Sequence, residues 1–283
     1  MDNPKTKNNQ LMAKRILGLT GLFILLSWLA VYLIDLRNIF GLRDVLFNLK
    51  PDYFYFTYRP FLFQHWGRNS GLGELVQWFF LASSALLSVY TAGRIGRENK
   101  EISRFLIIMA IAFLLMLLED AGDIRHTLMG YVQAIFKETE QGWMGTLTEL
   151  LYFGVLAGVP LYGLIKYWKN LKEFLAVRKY LLTGFIAYAL AGSMSFIGTA
   201  LSGVFDTNFY TLLGEAFYNS SLYLGDQNLA ALWQSYEEIN WDFPIGFFMV
   251  DSLLEESFEL IGGAAFLGAS YMLYKRFTEN KLK

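Results

Sequence analysis

The sequence predicts an all-α, polytopic membrane protein, a six-transmembrane-helix bundle with amphipathic outer loops. Composition is the first reason: the 283-residue chain is 54% hydrophobic and 17% aromatic, with a mean hydropathy of +0.33. The second is patterning, because the apolar residues fall in long blocks instead of short amphipathic stripes. The third is length. A helix rises about 1.5 Å per residue, and six blocks reach the roughly 20 residues that a hydrocarbon core requires. The expected spans are at about residues 16–34, 75–93, 105–124, 147–165, 180–203 and 250–274, in a single transmembrane domain covering 1–283.

The first block follows Lys5, Lys7, Lys14 and Arg15, as the apolar region of a signal peptide would. It is long, however, and it ends in Tyr-Leu-Ile-Asp-Leu-Arg without a small-residue cleavage site, so an uncleaved anchor is expected. Residues 50–66 are crowded with Tyr, Phe and Trp and suit a belt in the headgroup region better than a ligand-stacking platform. The second block opens beside Glu74, the third closes on Glu119-Asp120-Ala-Gly-Asp123-Ile-Arg125-His126, and the fourth contains Glu149. Gly184, Ala191, Ser195, Gly198 and Ser202 in the fifth block permit close helix packing. Residues 205–246 hold many aromatic residues and no Lys or Arg, which predicts one or two surface helices over the outer mouth. The sixth block carries Asp251, Glu255, Glu256 and Glu259, then the small residues Gly262, Gly263, Ala264, Ala265, Gly268 and Ala269.

Charge supplies the orientation. Seventeen of the 24 Lys and Arg residues lie in the N-terminus, the second and fourth loops and the C-terminus, and seven lie in the other loops. Retained basic residues mark the cytoplasmic side, so both termini are expected there, in a plasma or bacterial inner membrane. The net charge is -1 and there is no basic domain, which argues against nucleic acid as a partner. With no cysteine, disulfides, thiolate metal sites and Cys nucleophiles are excluded. No nucleotide-binding loop is present, and the membrane histidines that a zinc hydrolase needs are missing.

The chemistry-bearing feature is a set of carboxylates at matching depth. Counted from the inner end of each span, Glu119, Glu149 and Glu259 lie about 21 to 24 Å up, with Asp123, Glu255 and Glu74 in the next layer. Helical phase aligns Glu119, Asp123 and His126 on one face, and Asp251, Glu255 and Glu259 on another. Ionised groups in hydrocarbon need a counter-charge, protons or a metal, and Arg125 is the nearby cation. Asp123 and His126 form an acid-x-x-His pair of the kind used in dinuclear carboxylate sites, but a second such pair is missing.

The expected function is therefore an outward-facing, carboxylate-rich intramembrane pocket. It would bind protons or a divalent metal (Ca, Mg, Mn or Fe) for ion sensing or metal-assisted chemistry. Glu119, Asp123, Glu149, Glu255 and Glu259 are its candidate ligands, with His126 and Glu74 at the edge and Arg125 balancing charge. One alternative is a cation or proton transporter; the other is a non-catalytic assembly protein that binds a membrane protein partner. In every case the lipid bilayer is the first partner.

Overall fold

The computed structural model describes residues 4–48, 61–66, 71–137, 143–199, 209–239 and 245–279. Among them the chain is helical without a strand. In order, the α-helices are α1 (Pro4–Val31), α2 (Leu42–Asn48), α3 (Leu72–Ile95), α4 (Lys100–Gly122), α5 (Ile124–Phe136), α6 (Trp143–Tyr167), α7 (Leu175–Thr199), α8 (Phe209–Leu224), α9 (Leu229–Ile239), α10 (Ile245–Met249) and α11 (Glu256–Glu279). Wider π-helical turns, with i→i+5 bonding, extend α1 through Tyr32–Leu36 and precede α11 at Val250–Glu255.

Four segments are long and apolar enough to cross a membrane: Asn8–Leu36, Leu72–Ile95, Lys100–Gly122 and Trp143–Leu171. Only 17%, 39%, 44% and 22% of their respective apolar windows are buried inside the molecule. Exposed side chains such as Leu25, Phe79, Leu86, Leu151 and Ile165 would be unfavourable in water and are at home against lipid.

The packing divides into two compact units: Met1–Gly21 with Val76–Gly192 and Glu259–Lys283, and Leu22–Leu75 with Ser193–Phe258. In the first unit, α4 turns Phe105, Leu106, Met109 and Phe113 into a core shared with Leu81 of α3, Leu164 of α6, Leu181 of α7 and Phe266 of α11. The Asn99 side chain starts α4 by accepting the Ile102 N–H at 3.0 Å. Phe266 sits among three rings, with centroids 4.9 Å from Phe113, 4.9 Å from Phe185 and 5.5 Å from Tyr188. Gly184 makes room for it: a Cβ there would overlap the Phe266 ring. Gly262 likewise admits Tyr188.

The second unit is built on aromatic and polar packing. Phe61 and Phe63 are fully buried and stacked at 5.5 Å, and Phe61 meets the edges of Trp233 and Tyr236 of α9. The aromatic stretch was expected to be an interfacial belt. Its described part, residues 61–66, is instead core, because Phe61, Phe63 and Trp66 find ring partners inside the unit; residues 50–60 lie outside the described residues. Of the segment 205–246, α8 and α9 are helices as expected, while 205–208 and 240–244 lie outside the described residues. Gly214 of α8 and Gly246 of α10 touch backbone to backbone, so a Cβ on either would lie 2.7 Å from the other's carbonyl carbon.

Candidate functional site

The site begins where α4 stops. Asp123 adopts a left-handed conformation, φ 47° and ψ 42°, and its N–H reaches the Glu119 carbonyl at 2.8 Å. Asp is among the residues that tolerate this region, and Gly122 before it weakens the helix further. The chain then restarts as α5, whose first turn contains Arg125 and His126. The expectation of one continuous helical face through Glu119, Asp123 and His126 is thereby corrected. The break changes the direction of the chain, and the 100°-per-residue count does not pass through a left-handed residue.

The turn carries Arg125 back onto the acids. Its Nε lies 3.2 Å from Glu119 Oε1 and its Nη1 lies 3.8 Å from Glu149 Oε1 on α6. Its backbone N–H also donates to Glu119 Oε2 at 3.2 Å. The Glu149 side chain is 3% exposed, Arg125 10% and Glu119 18%, so this three-group assembly is largely withdrawn from solvent. The guanidinium carbon sits 4.8 Å from the centre of the Phe153 ring. The Tyr152 side chain lies near Glu119.

Residue spacing on α6 explains how α5 comes so close. Gly145, Glu149 and Phe153 recur every four residues and share one face. Gly145 admits the side chain of Gln133 from α5, whose Nε2 would lie 2.7 Å from a Cβ at that position. One turn on, Glu149 meets Arg125, and Phe153 covers the guanidinium after that. The sequence carried this signal as a small-acid-aromatic stripe, legible only once α5 was known to be a separate helix.

Asp123 and His126 pair side chain to side chain at the edge of the assembly, with 68% and 45% exposure. His126 Nε2 lies 3.4 Å from Arg125 Nη2. Arg125 was expected to balance charge; it lies between two carboxylates from two helices.

The remaining acids are placed differently. Glu259 of α11 accepts a hydrogen bond from Gln77 Nε2 of α3 at 2.7 Å, and the same amide lies 3.2 Å from the Tyr188 hydroxyl. Glu259 belongs to the first unit with Glu119, Asp123, Arg125, His126 and Glu149, whereas Glu74 and Glu255 belong to the second. Glu74 lies in the first turn of α3, and Glu255 ends the π-helical turn that begins at Val250. That wider turn shifts Asp251 out of the expected phase with Glu259. Among the described residues, no group of three or more His, Cys, Asp or Glu side chains is arranged to hold a metal ion.

A second buried polar assembly had no counterpart in the sequence reading. In the second unit, the fully buried Asp35 carboxylate accepts the backbone N–H groups of Leu62 and Phe63, both at 2.9 Å. Fully buried Arg43 donates to the Asp35 carbonyl at 3.1 Å and pairs with Asp226 at 2.9 Å. Gln64 donates to the Tyr236 hydroxyl at 2.6 Å. Compared with known proteins, the chain matches no family model, no curated protein and no solved structure.

Proposed function

We propose that this chain crosses the membrane six times with both termini cytoplasmic, and that Glu119, Arg125 and Glu149 form an outward-facing intramembrane proton site. The two further crossings would be α7 and α11. In α11 the small residues Gly262, Gly263 and Gly268 that permit close packing also dilute the hydropathy.

The observation that carries the proposal is the convergence of two carboxylates on one buried guanidinium. With both acids ionised, the assembly holds one negative charge in excess. A proton bound there would cancel that excess charge. Asp123 and His126, exposed at its margin, are the groups through which a proton would exchange with solvent. A proton is favoured over a divalent metal because Arg125 already stands where a cation would sit between the two acids. The divalent-ion version would require a further carboxylate, such as Glu259 of the same unit, to join the pair.

Infrared difference spectra of the reconstituted protein test this. Stepping the pH should reveal a protonated-carboxyl band in the wild type that is lost or displaced in Glu149→Gln and in Glu119→Gln. Stoichiometric metal in the purified protein, lost in both variants, would replace the proton with a divalent ion. No titrating band together with no metal would leave the assembly as helix-binding glue and overturn the proposal.

A further inference from the structure

Helix α5 presents three distinct faces. Arg125 and Gln133 lie on the face packed into the protein. Ile124, Leu128, Tyr131 and Ile135 are 38%, 42%, 68% and 73% exposed, and their spacing places them in one narrow stripe. His126 and Gly130 lie on a third, exposed face without large apolar groups. At 13 residues the helix is about 20 Å long, too short to cross the hydrocarbon core.

We infer that α5 is an interfacial helix, lying along the membrane surface with its Ile124–Leu128–Tyr131–Ile135 stripe seated among phospholipid acyl chains. The occupant of that stripe follows from the position of α5 at the end of α4. Ile107, Ile111, Leu114 and Leu118 of α4 are 47%, 47%, 44% and 51% exposed and have the same four-three-four spacing. That segment is long and apolar enough to span the bilayer, and a single residue, Asp123, separates its end from the start of α5. A helix that starts at the end of a span and cannot itself span lies at the boundary, where an apolar face enters the acyl region and a polar face meets water. Arg125 lies on neither exposed face but on the packed one, so lipid seating of α5 also holds the guanidinium against Glu119 and Glu149.

Site-directed spin labelling tests the seating independently of any protonation. The chain has no cysteine, so single labels at Tyr131→Cys, Ile135→Cys and Gly130→Cys report only those positions. A Cβ at Gly130 meets nothing within 4 Å, which makes that reference variant sterically harmless. In phosphatidylcholine–phosphatidylglycerol proteoliposomes, labels at 131 and 135 should relax more with oxygen than with a water-soluble nickel chelate, and the label at 130 should do the reverse. Nickel-dominated relaxation at 131 and 135 would overturn the inference, as would oxygen-dominated relaxation at all three positions. Spin–spin broadening at 131 and 135 that vanishes on dilution with unlabelled protein would assign the stripe to a second copy instead.

Discussion

Arg125 is one cation shared by two carboxylates of the first unit. Replacing it with Gln removes the cation that Glu119 and Glu149 share. Breaking a buried pair from one side costs about 3–5 kcal/mol. Arg125→Gln should therefore lower the unfolding midpoint in detergent, and adding Glu149→Gln should restore much of the loss. Equal stability of Arg125→Gln and wild type would mean that the assembly contributes nothing to the fold. In the second unit Asp35 performs a different task, holding the backbone of Leu62 and Phe63. Asp35→Ala strands the buried Phe63 donor and the part-buried Leu62 donor, at about 1–3 kcal/mol for a buried one. The expected readout is faster amide exchange at Leu62 and Phe63 than in the wild type, and unchanged exchange there would show that other groups hold them.

At the level of elements, helix ends and crossings depend on single positions. The left-handed Asp123 separates α4 from α5 and so aims Arg125 back at Glu119. A β-branched side chain is poorly suited to that conformation, so Asp123→Val should destabilise by about 1–3 kcal/mol, while Asp123→Gly should be neutral or slightly stabilising. Thermal unfolding of the two variants side by side distinguishes this backbone role from the exposed pairing with His126, which both substitutions remove. The crossing of α7 and α11 hangs on Gly184 in the same way. Gly184→Ala would force the Phe266 ring out of its nest of three aromatic partners. Overpacking of that kind costs about 1–3 kcal/mol, measurable as a lowered midpoint.

For the whole molecule, topology is the testable property. Cysteines introduced at the exposed Arg97 and Lys172 should react with an impermeant maleimide only when the cytoplasmic face is opened. One at the exposed Ala134 should react from the outside. Reactivity of all three from the same side would rule out the alternating crossings that the charge distribution predicts.

The chain alone determined its class and the approximate positions of four apolar helices, since length and hydropathy are local properties that need no partner to be read. It also singled out Glu119, Glu149 and Arg125, though together with Glu74, Asp123, His126, Glu255 and Glu259, because charged groups in apolar surroundings are rare. Their pairing belonged to the tertiary structure. A one-residue change of backbone direction at Asp123 and a glycine on α6 decide that Arg125 lies between the acids, and depth counting along straight helices has no access to either. Burial of Phe61 and Phe63 and the ion pair of Arg43 with Asp226, 183 residues apart, were equally hidden. An aromatic or charged side chain reads the same in sequence whether it faces lipid, water or protein. Only the packed fold supplies the neighbour that settles which.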